Sequence, residues 1–152
     1  HPAAIANVRD ERIKRLAGKM DRVLVDAPCS GLGTPRRHPD LKWRQSAKSV
    51  QELVAKQTAI LDSAARLLKP GGRLVYATCS ILPQENEAIA EAFSAAHPDF
   101  EMLDAGELLE QLKVADARGL CSGGASGTGY LLLWPHLHHT DGFFAAVWAK
   151  KA

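Results

Sequence analysis

Three cysteines in 152 residues are too few, and odd in number, for a disulfide framework, so their scarcity points to a reducing, cytosolic setting. No apolar run approaches the ~20 residues that a membrane-spanning helix needs; the longest lies around Tyr130–Trp134. The opening residues His1-Pro2-Ala3-Ala4-Ile5 show neither the charged start nor the long apolar segment of a secretory leader, and there is no initiator methionine. Excess charge is missing as well. Nineteen Lys and Arg against 17 Asp and Glu leave a net charge of +2, so contact with a polyanion would have to come from a local basic patch. Solenoid repeats and low-complexity tails are absent too. What remains is an ordinary globular composition, 46% hydrophobic and 24% charged, which excludes wholesale disorder. At about 150 residues per domain the chain is one domain with a real core.

Arg22-Val23-Leu24-Val25-Asp26 is a β-branched apolar run, and Ala27-Pro28-Cys29-Ser30-Gly31-Leu32-Gly33 after it cannot continue a strand. Helical spacing follows at Val50, Leu53, Val54, Ile60, Leu61, Ala64 and Leu68, with a Ser49/Glu52 capping box to start it and Lys69-Pro70-Gly71-Gly72 to stop it. Arg73–Thr78 repeats the strand pattern and ends in Cys79-Ser80, after which Pro83 opens a second helix carried by Ile89, Phe93 and Ala96. Strand, helix, strand, helix at this spacing predicts an α/β fold with parallel strands and a right-handed crossover. Farther along, Phe100–Leu103 reads as a strand and Leu108–Val114 as a short helix. Tyr130–Trp134 and Phe143–Trp148 read as an antiparallel pair joined by 135–142. Gly119–Gly129 reads as a flexible surface loop; a strand follows it, so it fits neither nucleotide-binding fingerprint.

Ligands of an open parallel sheet bind beyond the carboxyl ends of its strands. Asp26-Ala27-Pro28-Cys29 and Thr78-Cys79-Ser80 both lie at such ends, on strands joined by one crossover, so two thiols and a carboxylate are expected in one crevice. Taken singly, each cysteine reads first as a small buried hydrophobe, and their paired placement at strand ends reverses that preference. Cys79 also stands just before an expected helix start, where the helix dipole favours thiolate. Cys121 has no such setting. His136, His138, His139 and Asp141 lack the cysteine partners and the spacing of a metal site, and none is assigned.

Four motifs in order, Val25-Asp26-Ala27-Pro28-Cys29-Ser30-Gly31, Arg36-Arg37-His38-Pro39-Asp40-Leu41-Lys42-Trp43, Tyr76-Ala77-Thr78-Cys79-Ser80-Ile81 with Glu85-Asn86-Glu87, and Thr140-Asp141-Gly142-Phe143-Phe144, resemble the Sun (RsmB-type) family of RNA cytosine-C5 methyltransferases. The resemblance implies a Rossmann-like class I methyltransferase sheet, mostly parallel with an antiparallel last strand. It also implies that residues 1–152 are the C-terminal portion of one catalytic domain, lacking the first two strands and the glycine-rich cofactor loop. Strand Arg22–Asp26 is then an open edge, to be covered by His1–Asn7 or by a second copy of the chain in a dimer. By the same resemblance Cys79 is the nucleophile, Cys29 assists product release, and Asp26 lies against cofactor and target base. Asp26 and Pro28, with Asn7 or Asp10, would contact S-adenosylmethionine. The implied partner is RNA, ribosomal by the family's substrates.

The chemistry explains the residue types. Cytosine C5 is a poor nucleophile until a thiolate adds at C6, and a base must later remove the C5 proton so that the thiol can leave. Arg36, Arg37, Lys42 and Arg44 are candidate phosphate contacts, the alternative being a solvated charged loop. Trp43 is either a stacking face for a splayed-out base or a core residue. Alternatives remain at this point: Cys29 as nucleophile through its Pro-Cys dipeptide, a thiol-disulfide protein using both cysteines, or a non-catalytic RNA-binding fragment.

Overall fold

The computed structural model describes residues 11–122 and 129–152, apart from the side chain of Lys42. Asn7, Asp10 and the covering role expected of His1–Asn7 therefore lie outside the described residues, as does most of the glycine-rich segment 119–129. A short helix α1 (Glu11–Leu16) leads into strand β1 (Met20–Asp26). A one-turn helix α2 (Leu41–Arg44) and the long helix α3 (Ala47–Ala65) precede β2 (Leu68–Thr78) and α4 (Glu87–Ala96). Then come β3 (Phe100–Leu103), α5 (Ala105–Gln111), a 3-10 turn over Ala117–Leu120, β4 (Cys121–Ser122), β5 (Tyr130–Leu133), α6 (Pro135–His138) and β6 (Phe143–Lys150).

The six strands form one open sheet in the order β1-β2-β6-β5-β4, with β3 beside the far half of β6. Among the described residues the parallel character rests on β1 and β2, while β6 runs antiparallel to each neighbour, as the last strand was expected to do. Cross-strand pairs Leu74 with Trp148, Tyr76 with Ala146 and Thr78 with Phe144 put the bulk of both strands on one face. There they meet Leu61 of α3 and Phe93 of α4. The Phe93 and Trp148 rings meet edge to face at 4.8 Å, and the Trp148 indole N–H donates to Ser94.

Several boundaries move for physical reasons. Helix α3 begins one turn earlier than the Ser49/Glu52 box predicts, because Ser46 and Ser49 cap each other reciprocally at 3.1 and 2.8 Å. Lys69-Pro70-Gly71-Gly72 is no helix stop but an irregularity inside β2, across which the pairing jumps from Met20 with Leu68 to Arg22 with Arg73. Helix α5 starts at Ala105 rather than Leu108, since Asp104 caps it by accepting from the Glu107 N–H at 2.9 Å. Helix α4 opens at Glu87, not Pro83; the residues between turn inward, for reasons that emerge at the site.

Among the described residues β1 is the sheet edge, and Leu24 is 68% exposed on it. Leu61→Ala, which empties a site only 1% exposed, is expected to cost about 2–5 kcal/mol. Leu24→Ser is expected to stay within about 0.5 kcal/mol. Urea unfolding of the two variants checks the contrast.

Candidate active site

The register of β1 on β2 sets Asp26 opposite Ala77, and the Ala27 N–H extends the pairing by donating to the Ala77 carbonyl at 2.9 Å. The loops that leave the two strands therefore start side by side. Cys29 and Cys79 reach across them, sulfur to sulfur at 3.3 Å, both half-buried. Asp26 stands exposed beside them at the end of β1. The two thiols and the carboxylate expected at these strand ends lie together.

The thiols are not equivalent. Hydrogen bonding from Cys29 pulls the Cys79 pKa down to about 7, against burial and the repulsion of Asp26 and Glu85. The Cys29 pKa moves the opposite way, raised by the same hydrogen bond and by burial. Cys79 is thus more readily ionised than an ordinary cysteine. The cause differs from the expected one. Helix α4 begins eight residues after Cys79, so the neighbouring thiol rather than a helix dipole favours the thiolate.

Three loops close around this pair. The Gly33 N–H donates to the Cys79 carbonyl at 2.9 Å, and the Gly142 N–H donates to the Gly33 carbonyl at 2.7 Å. A Cβ on Gly33 would lie 2.4 Å from the Gly142 oxygen and 2.6 Å from the Cys79 oxygen, so only glycine permits this approach. Beneath the cysteines, fully buried Glu85 accepts from the Ser30 N–H (2.8 Å), the Ser30 hydroxyl (2.6 Å), the Ser80 hydroxyl and the Gln57 amide (3.0 Å). Gln57 also donates to the Pro28 carbonyl at 2.9 Å. Asn86 accepts from the Thr78 hydroxyl and donates to the Ser80 carbonyl at 2.9 Å.

None of these buried polar residues was singled out for a role from sequence. Gln57 carried a signal, being the one amide in the buried stripe of α3 between Val54 and Leu61. Glu85 and Asn86 stood in the third motif, but as polar residues of an expected first helical turn they were assigned no role.

The basic segment sits beside the Cys29 loop. The Gln45 amide donates to the Ser30 carbonyl at 3.0 Å, and Leu41 packs at Gly31. Arg36 is exposed, Arg37 is engaged with Asp141 and Arg44 pairs with Asp40 at 2.9 Å; the Lys42 side chain is outside the described residues. Trp43 is 81% exposed, which removes the core reading for it. His138 accepts from the Trp134 N–H and has its other ring nitrogen on the Gly119 carbonyl, both at 2.8 Å, so its nitrogens are spent on the fold.

Asp26 and Pro28, exposed at the carboxyl end of an edge strand, offer one wall for a cationic sulfonium cofactor. A carboxylate suits that charge, and the residues fit such a group as far as they extend.

A family model described as 16S rRNA methyltransferase RsmB/F matches residues 3–149. Ribosomal RNA small subunit methyltransferase B of Pectobacterium carotovorum is 51% identical over 135 residues, covering 88% of this chain and 27% of that protein. The chain spans 26–28% of the length of such curated relatives. Among solved structures, the crystal structure of PH0851 superposes with TM-score 0.75 at 37% identity, over 88% of this chain and 27% of its own. The crystal structure of NSun6 from Pyrococcus horikoshii with SFG gives 0.73 at 26% identity, over 98% and 34%.

If the Cys29 thiol is what lowers the Cys79 pKa, Cys29→Ala should move it upward. Alkylation of Cys79 followed by mass spectrometry between pH 5 and 10 should show a midpoint near 7. In Cys29→Ala the midpoint should rise toward the ordinary cysteine value of about 8.5.

Proposed function

The chain belongs to the RsmB/F family of 16S rRNA methyltransferases, and we propose that it carries the nucleophile half of an RNA cytosine-C5 methyltransferase domain, acting on ribosomal RNA. The observation that supports this reading is the 3.3 Å pair of unequal thiols at adjoining strand ends, with Asp26 beside them. Cys79, held partly ionised, adds to cytosine C6. That addition turns C5 into an enamine-like carbon. Asp26 accepts a hydrogen bond from the exocyclic N4 amino group of the base and orients the ring for the attack. S-adenosylmethionine, when bound, supplies the electrophilic methyl group, with Asp26 and Pro28 holding it together with Asn7 or Asp10. After a base takes the C5 proton, the C6–sulfur bond breaks and Cys79 leaves as thiolate. Cys29 assists by donating its hydrogen bond to the departing sulfur. The inequality of the thiols favours Cys79 over Cys29 as nucleophile, because the proton stays on Cys29.

A redox role for the pair has less support. Thiol-disulfide proteins space their cysteines closely, and these stand fifty residues apart. RNA would reach the site over the loop that carries Arg36, Trp43 and Arg44, which is tied to the Cys29 loop through Gln45 and Leu41. Exposed Trp43 offers a stacking face and Arg36 a phosphate contact. Arg37 is bound first to Asp141, so its role there is to join two loops. The enzyme works in the reducing cytoplasm, where both thiols stay free.

Two outcomes test the reading in the full-length enzyme. With RNA bearing 5-fluorocytosine, Cys79→Ser is expected to abolish the protein-RNA adduct seen by denaturing gel. Cys29→Ser keeps an O–H that can hydrogen-bond the Cys79 thiolate, so it should still attack, but a hydroxyl is a far weaker acid than a thiol, so release should be slow and adduct should accumulate with ordinary cytosine. Adducts that persist in Cys79→Ser and vanish in Cys29→Ser would reverse the assignment. For the RNA surface, Arg36→Ala should lower the log-log salt slope of binding by about 0.7, the loss of one single-strand phosphate contact. Filter binding across a salt series reads this directly.

A further inference from the structure

Glu85 and Asn86 take no part in the steps above, yet their side chains are among the most completely enclosed polar groups of the protein, at 0% and 1% exposure. A buried carboxylate is costly to fold around, and the four donors given to this one are all neutral. What those donors have in common is their place in the chain. Ser30 and Ser80 are the residues immediately after Cys29 and Cys79. Gln57, bound to the same carboxylate, also holds the Pro28 carbonyl just before Cys29. Asn86 grips Thr78 and Ser80, the residues on either side of Cys79. The grip is anchored in turn: the Tyr76 hydroxyl donates to the Glu85 carbonyl at 2.6 Å.

We propose that Glu85 is a positioning residue for the two thiols, its carboxylate joining Ser30 to Ser80 and thereby fixing Cys29 and Cys79 at donor-acceptor distance. The inference rests on the reading that both thiols act on one base, where a gap of a few tenths of an ångström decides whether Cys29 can serve the sulfur of Cys79. The carboxylate's two oxygens are used differently. Oε1 receives two N–H groups, from Ser30 and Gln57, whereas Oε2 receives two hydroxyls, from Ser30 and Ser80. Hydroxyls can rotate to accept, but N–H groups cannot. A glutamine whose carbonyl takes the Oε1 place and whose amide nitrogen takes the Oε2 place keeps all four contacts. An aspartate, one methylene shorter, cannot span them.

The test uses phenylarsine oxide, whose arsenic bonds to two thiols at once with loss of one water, and needs neither RNA nor cofactor. In the intact methyltransferase chain, the rate of forming the Cys29-arsenic-Cys79 bridge is divided by the rate of Cys79 alkylation, both at pH 9 and both mapped by mass spectrometry. General destabilisation shifts the melting temperature but leaves this ratio alone. Glu85→Asp is expected to lower the ratio tenfold or more, and Glu85→Ala likewise where it folds. Glu85→Gln is expected to hold it within about twofold. A folded Glu85→Asp protein with the wild-type ratio would overturn the proposal, as would a Glu85→Gln protein with a ratio as low as that of Glu85→Asp. Failure of the methyltransferase reading shows separately, as wild-type protein that forms no adduct on 5-fluorocytosine RNA.

Discussion

The register of β1 against β2 is the constraint from which the site follows. Asp26 lies opposite Ala77, so each chain leaves the sheet at the same height and the two loops are forced to share one crevice. A slip by one residue would turn Asp26 to the other side of the strand and carry Cys29 away from Cys79. The register is itself fixed by the core. On β1, Val25 is 5% exposed in the core under α3 and α4 and Val23 packs against it, so a one-residue slip would turn both to the other face.

With the loops adjacent, electrostatics divides the labour between two identical functional groups. A half-buried thiolate near Asp26 and Glu85 is unfavourable by itself, since both carboxylates and the loss of solvent raise the Cys79 pKa. The Cys29 hydrogen bond, helped by a backbone hydrogen bond, outweighs them. Cys29, the donor, is held as a thiol by the same contact, so one hydrogen bond shifts the two thiols in opposite directions. Burial next to Glu85 also raises the Tyr76 pKa, which keeps its hydroxyl a donor to the Glu85 carbonyl.

Much of this arrangement was legible in the sequence because it follows local rules. Apolar runs ending in Asp26 and Thr78 marked the strands, and the strand-end rule brought Cys29 and Cys79 together. The start of α3 was misplaced because two overlapping boxes share Ser49, and pattern alone favours a glutamate at the far end over a second serine. The start of α4 was misplaced for a deeper reason. Glu85 and Asn86 look like the first turn of a solvated helix, but their side chains are recruited by partners on β2, α3 and the Cys29 loop. Such recruitment depends on contacts up to 55 residues away, which no window of sequence contains. Trp43 was undecided between surface and core for the same reason. Only the packing of Leu41 at Gly31 shows that the one-turn helix leaves the indole outside.

The position of β6 bears on how the protein is made. Residues 143–150 come after every strand they pair with, yet β6 is central, lying between β2 on one side and β5 and β3 on the other. During synthesis β2 must wait with one edge unpaired until the last strand emerges, and the loop carrying Gly142 arrives on Gly33 only then. Pairings of such long sequence separation make for slow folding and leave apolar strand edges exposed to other chains meanwhile. The thiol crevice cannot be complete on a nascent chain until β6 has inserted.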